Sequence, residues 1–284
     1  MIKSKKHLSV LLKTKWEKLV EITENIDRYY FENKVIKKDK DGIPKLDKFG
    51  NPKIRTIYPS VGELKHLQKL INLKIFRLVP IFECAMGGVK KRDNILNSSF
   101  HKGKKYKFLT DLKDCFPSIN SDMVYKSLIN NGFSADIASI LTKLTTYKNQ
   151  IPQGARTSTY LCNIVMKKLD KQLLDLCHPY DITYTRFIDD LTFSSQSDFK
   201  KSAIQIIKII ESEDYKISHR KTGYMIGSTM ITGNRVNNNS QTISDQLKSK
   251  IATPHSFTEN QIKGHYQYAK RVMGEEKFKK LMGE

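Results

Sequence analysis

Apolar residues recur at three- and four-residue intervals in several segments of the chain, a spacing that predicts amphipathic helices. These segments are residues 5–31, 61–78, 134–147 and 157–177. Shorter runs rich in β-branched and aromatic residues lie between them and predict strands. The runs are YKFLTDL (106–112), ITYTRFI (182–188), LTFSS (191–195) and YMIGSTMITGNRV (224–236). Helices interleaved with strands predict an α+β or α/β architecture.

A charged β-hairpin is predicted between residues 35 and 60, where glycine and proline interrupt short extended segments. Alternation along its second strand places Lys53 and Arg55 on the same face. Residues 239–284 are basic and compatible with helices. This last stretch is expected to form a small subdomain of its own.

The net charge of the chain indicates which class of molecule it binds. The chain has 284 residues, and its 50 Lys and Arg against 29 Asp and Glu give a formal net charge of +21 at pH 7. Such an excess favours a polyanion, because basic side chains replace the counterions condensed around phosphates. Nucleic acid is the leading candidate, and an anionic membrane surface is the alternative.

Other sequence features argue against a membrane, a secretory route and a zinc site. The chain has no apolar run of about 18 residues, and its N-terminal segment lacks a signal-peptide core with a cleavage site. Its four cysteines are widely spaced and form no Cys-x-x-Cys pair, which indicates neither a disulfide framework nor a zinc site. A cytoplasmic location is therefore expected.

Three aspartates stand out in a chain expected to bind phosphates. Asp189 and Asp190 lie between two strand-like runs, and Asp111 follows another. For an isolated Asp, a turn or a helix N-cap is the ordinary explanation. Carboxylates are also preferred ligands of Mg²⁺, and two such ions can activate an attacking oxygen and stabilise a leaving one. A hairpin turn beside the end of the earlier strand would bring the three carboxylates together.

Motifs in collinear order between about residues 50 and 235 resemble those of reverse transcriptases, in particular the bacterial retron type. The motifs are DLKDCF (111–116), IPQGA (151–155), FIDD (187–190) and KT (221–222). Two weaker matches favour the retron type, NSSFH (97–101) and ITG (231–233). Retron enzymes usually carry Tyr-Ala before the Asp pair, whereas this chain has Phe187-Ile188. That difference is expected to affect the primer end.

The resemblance implies an α+β fold of the right-hand polymerase type with a ferredoxin-like antiparallel palm sheet. The implied fingers are residues 1–90 and 119–156. The implied palm is 91–118 and 157–238, followed by a thumb over 239–284.

The resemblance also implies roles for nucleotide-binding residues. Gln153 would contact the incoming nucleotide, Phe116 would pack under its sugar and exclude a 2′-hydroxyl, and Lys221 would act on the leaving pyrophosphate. The hairpin face with Lys53 and Arg55 would close over the triphosphate. Two alternatives stay open, a core position for Phe116 and a solvated strand for the hairpin pair.

Residues of the two retron-type matches are expected to bind nucleic acid, although a surface histidine and an ordinary turn are the alternatives. They are Asn97, His101, Thr232 and Gly233.

The implied reaction is RNA-directed DNA synthesis, in which a primer hydroxyl attacks a deoxynucleotide (dNTP) with two Mg²⁺ ions as cofactors. Asp111, Asp189 and Asp190 are the expected catalytic and metal-binding residues. The retron type implies a dedicated structured noncoding RNA as template and primer, an RNA–DNA duplex product, and antiphage defence with a separately encoded effector. The rival hypotheses are a defence-associated or intron-related reverse transcriptase with different priming, and a non-catalytic RNA-binding scaffold.

Overall fold

The structure is a computed structural model that describes residues 2–39 and 42–283. The strands are β1 Asn33–Ile36, β2 Ile54–Ile57, β3 Tyr106–Asp111, β4 Thr183–Phe187, β5 Asp190–Ser195, β6 Gly223–Ile226, β7 Thr229–Ile231, β8 Asn234–Val236 and β9 Gln241–Ile243. The α-helices are α1 Lys5–Leu12, α2 Trp16–Glu24, α3 Gly62–Lys74, α4 Asn94–Ser99, α5 Cys115–Ser118, α6 Ser121–Asn130, α7 Ala135–Thr145, α8 Ser158–Val165, α9 Lys167–Cys177, α10 Lys200–Ser212, α11 Asp245–Ala252, α12 Glu259–Met273 and α13 Glu275–Met282.

The chain folds into two compact units. The first consists of Met1–Ile81 and Asp114–Lys167, and the second of Phe82–Lys113 and Lys168–Glu284. The boundaries expected for fingers, palm and thumb stay a prediction.

The first unit is mainly helical and includes the hairpin. Strands β1 and β2 pair antiparallel, with Asn33 opposite Ile57, as the turn signals predict. Residues 40 and 41, between these strands, lie outside the described residues. Gln68 of α3 is fully buried and donates to the Tyr30 hydroxyl at 2.7 Å and to the Leu144 carbonyl at 2.9 Å. This amide links α3 to the end of α7 and to the segment before the hairpin.

Two helical segments are shorter than the apolar spacing predicts. The first ends at Leu12, because Lys13 adopts a left-handed conformation with φ 54° and α2 begins only at Trp16. The segment 157–177 divides at Met166, whose ψ of −1° departs from the helical value of about −42°. Periodicity alone misses both breaks because the apolar spacing continues across them.

The main sheet of the second unit has the order β4-β5-β3-β6 and is antiparallel throughout. Helices separate β3 from β4 and β5 from β6, while β4 and β5 form a hairpin. This β-α-β-β-α-β arrangement is ferredoxin-like. The prediction of an α+β fold with such a sheet is confirmed.

Aromatic side chains fill one face of this sheet. Phe193 is fully buried, stacks on Tyr184 with ring centroids 4.7 Å apart, and lies 5.9 Å from the Phe108 ring. The three rings come from β5, β4 and β3, so they join the strands that carry the aspartates.

The C-terminal helices pack on a small antiparallel sheet, β7-β8-β9, and on α4. Ile95, Ile243, Ala269, Val272 and Phe278 belong to their common hydrophobic cluster. Residues 239–284 therefore share a core with an earlier part of the chain instead of burying one of their own.

No helix within the described residues has the length and hydropathy needed to cross a membrane.

Replacing Phe193 by Ala is expected to lower the free energy of unfolding by about 3–5 kcal/mol, because it removes a fully buried ring and leaves a cavity. Chemical denaturation measures the change. Phe100→Ala is the matched control, since Phe100 is 45% exposed and should change stability by less than about 1 kcal/mol. Equal losses in the two variants would contradict this assignment of the core.

Candidate active site

The three aspartates meet at one end of the main sheet. Asp111 ends β3, Asp190 begins β5, and the two residues are direct partners in the register. Asp189 lies in the turn between β4 and β5, and its carbonyl accepts the Leu112 N–H at 2.9 Å. One carboxylate oxygen from each aspartate lies within 4.8 Å of the others. Strand register and a tight turn therefore form the cluster.

Burial and the neighbouring carboxylates change the proton affinity of Asp190. Burial, followed by the charges of Asp189 and Asp111, raises the pKa of Asp190 to about 7. A carboxylate in such a place favours a proton or a cation. The cluster is therefore electrostatically suited to a divalent metal ion, and its oxygen ligands fit a hard cation.

Lys221 is the cation next to this cluster. Its Nζ donates to Asp111 Oδ2 at 2.5 Å, and its side chain is 58% exposed. Although burial alone would lower it, the hydrogen bond and charge of Asp111, with the other two aspartates, hold the pKa of Lys221 above its usual value.

The backbone around Lys221 is anchored to β3. Ser218 N–H donates to the Asp111 carbonyl at 2.7 Å. The hydroxyls of Thr222 and Thr110 lie 2.8 Å apart. These contacts place the lysine beside the carboxylates.

The turn that carries Asp189 is unusual. Ile188 is its first central residue and has a φ of 63°, a region that β-branched residues rarely occupy. Gly87 packs directly against it, since a Cβ on Gly87 would lie 2.5 Å from Ile188 Cγ1 and 2.7 Å from Ile188 N. The turn therefore depends on a residue without a side chain at position 87.

The candidates for nucleotide binding fall into both units. Lys53, Arg55, Phe116 and Gln153 belong to the first unit, whereas Lys221 belongs to the second. The structure brings only Lys221, among these five, into contact with the aspartates within one unit. The roles of the other four stay predictions.

Within the first unit, the hairpin and the IPQGA segment have defined surroundings. A cleft of about 230 Å³ is lined by residues that include Lys37, Lys45 and Arg55. The Gln153 carbonyl accepts the Tyr58 N–H at 2.7 Å. Phe116 lies on α5 and is half-buried, so it is neither a full core residue nor a solvated one.

The two retron-type matches contact each other. Asn97 of α4 donates to the Thr232 hydroxyl at 3.2 Å, and that hydroxyl donates to the Asn94 carbonyl at 3.2 Å. Thr232 and Gly233 have φ values of 43° and 92° and form the turn between β7 and β8, a pattern typical of a type I′ hairpin. The Thr-Gly pair thus serves this turn, and Gly233 is exposed.

Asn97 and His101, which the resemblance assigns to nucleic-acid binding, are both fully buried. His101 lies 2.7 Å from the hydroxyls of both Ser194 and Thr185. Burial, with the charges of Lys107 and Lys104, lowers the pKa of His101 to about 3. The ring is neutral and bridges β5 and β4, which argues against direct contact with nucleic acid.

Sequence reasoning missed a buried ion pair behind the turn, between Arg186 and Asp170. The spacing of residues in the sequence nevertheless contains a signal of this pair. Asp170 shares one helix face with Leu173 and Cys177 at spacings of three and seven, and Arg186 alternates with Tyr184 along a strand. A charged residue on each of two apolar faces indicates a buried pair.

Residues 37–268 match the family model for reverse transcriptase (RNA-dependent DNA polymerase). The retron Ec86 reverse transcriptase of Escherichia coli is 35% identical over 172 residues, covering 60% of this chain and 54% of that protein. The retron Mx65 reverse transcriptase of Myxococcus xanthus is 29% identical over 206 residues, covering 65% and 48%. The chain thus matches about half the length of these relatives, and the predicted retron resemblance is confirmed.

A solved structure shows the same fold. Telomerase from Candida albicans, solved with a fragment of telomeric RNA, aligns with a TM-score of 0.52 at 13% sequence identity. The alignment covers 81% of this chain and 49% of that one. At this identity the likeness concerns the fold alone, and it confirms the predicted polymerase fold.

Stability without metal should depend on pH through Asp190. Its raised pKa means that the folded state holds a proton between about pH 4 and 7 that the unfolded state has lost, so stability falls as pH rises. Asp190→Asn cannot ionise. Its stability relative to wild type should therefore rise by about 2 kcal/mol between pH 5 and pH 8.

Chemical denaturation in a chelator at the two pH values measures this difference. Asp214→Asn is the control, since Asp214 is exposed and lies outside the cluster. A stability difference for Asp190→Asn that is the same at both pH values would refute the assignment.

Gly87→Ala should displace the turn. Its Cβ would overlap the backbone nitrogen of Ile188, and overpacking of this kind costs about 1–3 kcal/mol of stability. Gly264→Ala in α12 is the control, because nothing lies within 4 Å of the added carbon. Thermal unfolding of both variants is the measurement, and a fully stable Gly87→Ala would contradict the close contact.

Proposed function

This chain belongs to the reverse transcriptase family, and from that membership we propose that it copies an RNA template into DNA. The observation that carries the proposal is the cluster of Asp111, Asp189 and Asp190, whose carboxylate oxygens lie within 4.8 Å of one another. Three crowded carboxylates would repel the phosphates that a strongly basic chain is expected to bind, unless the carboxylates hold cations.

The three aspartates would hold two Mg²⁺ ions, which when bound would activate the attacking hydroxyl and stabilise the leaving oxygen. Asp111 and Asp190 face each other across paired strands, so their carboxylates are set by the sheet. Lys221 now neutralises Asp111. Once cations neutralise that carboxylate, the ammonium group would be released to bind or protonate the pyrophosphate.

The nucleotide would be held by residues of the first unit. Arg55 lines a basic cleft of the hairpin and would bind the triphosphate together with Lys53. Gln153 would contact the incoming nucleotide. The half-buried ring of Phe116 would exclude a 2′-hydroxyl by steric overlap.

The partners that we propose follow the retron relatives. A structured noncoding RNA would serve as template and primer in the cytoplasm, and an RNA–DNA duplex would be the product. The net charge of +21 supports a nucleic acid as the partner. Fingers, palm and thumb with the boundaries given above, a role in antiphage defence and a separate effector protein belong to the same proposal.

Extension of a primed RNA template with deoxynucleotides tests the activity. Wild type should incorporate nucleotides only with Mg²⁺, and Asp189→Ala/Asp190→Ala should lose at least about 100-fold in rate, since bound metal supplies several kcal/mol. Asp175→Ala is the control, because Asp175 lies in an exposed pair with Lys171. Equally little incorporation by wild type and the double variant would contradict the polymerase activity and favour the RNA-binding scaffold.

Sequencing of nucleic acid that copurifies with the chain identifies the template. DNA joined to RNA through a branched 2′ linkage would support the retron type. Heterogeneous cellular RNA without attached DNA would contradict it.

A further inference from the structure

A buried ion pair lies directly behind the turn that carries Asp189. Arg186 and Asp170 are both 0% exposed. The Arg186 Nε and Nη2 donate to the two oxygens of Asp170 at 2.9 and 2.7 Å, and the Tyr184 hydroxyl adds a donor at 2.9 Å. Removing two charges from water is costly, so a pair of this kind contributes little to stability by itself. Stability alone therefore does not explain why this ion pair lies behind the turn.

The remaining amino group of Arg186 reaches the turn. Nη1 donates to the carbonyl oxygen of Ile188 at 2.9 Å. That carbonyl belongs to the peptide that joins Ile188 to Asp189, so the guanidinium fixes the orientation of the peptide before the first aspartate of the pair. The contact is specific to arginine, because its planar group can bind a carboxylate by two atoms and still present a third.

Ile188 needs such support. Its φ of 63° is positive at the first central position of a two-residue hairpin turn, which is the position that favours glycine in a type II′ turn. A β-branched side chain is strained in this region of backbone conformation. Strained conformations persist only where surrounding contacts enforce them.

The backbone of Arg186 is itself held in place. Its N–H donates to the Cys84 carbonyl and its carbonyl accepts the Met86 N–H, both at 2.7 Å. Arg92 Nη1 in turn binds the carbonyls of Phe82 and Ala85 at 2.7 Å each. The guanidinium that donates to the turn therefore belongs to a residue whose backbone is fixed by hydrogen bonds.

We propose that Arg186, oriented by Asp170, is a positioning residue that holds Ile188 in its strained conformation and thereby sets the metal-binding geometry of Asp189 and Asp190. This inference rests on the proposed function of the aspartate cluster. Arg186 is fully buried and acts through the backbone of the turn.

Titration of the purified chain with Mn²⁺, followed by electron paramagnetic resonance, tests the proposal without requiring polymerase activity. Arg186→Lys should bind Mn²⁺ at least about 10-fold more weakly than wild type, the usual consequence of losing a residue that orients metal ligands. Arg235→Lys is the matched control, since Arg235 pairs with Asp245 at the surface. It should bind as wild type does.

A second variant separates positioning from general structural support. Glycine adopts positive φ without strain, so in an Ile188→Gly background the further loss from Arg186→Lys should shrink to about 3-fold or less. An equal loss in both backgrounds, or wild-type affinity in Arg186→Lys, would overturn the proposal. In extension assays, excess Mg²⁺ should restore most of the rate of Arg186→Lys, which a merely misfolded protein would not show.

If Arg186→Lys does not fold, the double variant Asp170→Asn/Arg186→Gln replaces it, because it leaves no unpaired buried charge. Its Mn²⁺ affinity should also fall by about 10-fold, and unchanged affinity would refute the inference. Wild type that binds Mn²⁺ but extends no primer would reject the proposed function and leave the positioning role intact. Wild type without Mn²⁺ binding would overturn the positioning role.

Discussion

Mutual repulsion among three carboxylates is the constraint around which the second unit is organised. Oxygens of Asp111, Asp189 and Asp190 lie within 4.8 Å of one another, and burial, followed by the charges of the other two aspartates, raises the pKa of Asp190 to about 7. A flexible chain would relieve this repulsion by moving the groups apart. Here the register of β3 and β5 and a two-residue turn prevent that movement.

The interior behind the cluster contains hydrogen-bonded polar groups. His101 bridges two strands through hydroxyls at 2.7 Å, and the Arg186–Asp170 pair supports the turn. Hydrogen bonds are directional, so a satisfied buried network specifies one arrangement more sharply than apolar packing does. A cluster that positions several carboxylate oxygens requires one such arrangement, and the aromatic stack around Phe193 adds apolar packing that stabilises the sheet.

The sign of the charge differs between the chain as a whole and the aspartate cluster. The chain carries a net charge of +21, which favours polyanions at long range. The carboxylates reverse the sign locally, and Lys221 balances one of them. Under the proposed function, attraction of nucleic acid and binding of cations would fall to different groups, so that neither would be weakened for the other.

The sequence by itself predicted the chemistry, and the resemblance of its motifs indicated the α+β fold class. Three kinds of signal in the sequence carried these predictions: carboxylates at strand ends, the four motifs, and the periodicity of helices and strands. Each signal can be recognised without the structure because it depends on residues close in the chain. The same reasoning could not find where the first helix breaks at Lys13, since the apolar spacing continues past it.

Only the tertiary structure decided what surrounds those motifs. It buried His101, which the motif alone would leave at the surface, because Thr185 and Ser194 approach it from distant parts of the chain. It also joined Asp170 to Arg186 and placed Gly87 against Ile188. Spacing along a single segment can indicate that a charged residue is buried, as it does for Asp170 and Arg186, but packing between segments decides which residues meet.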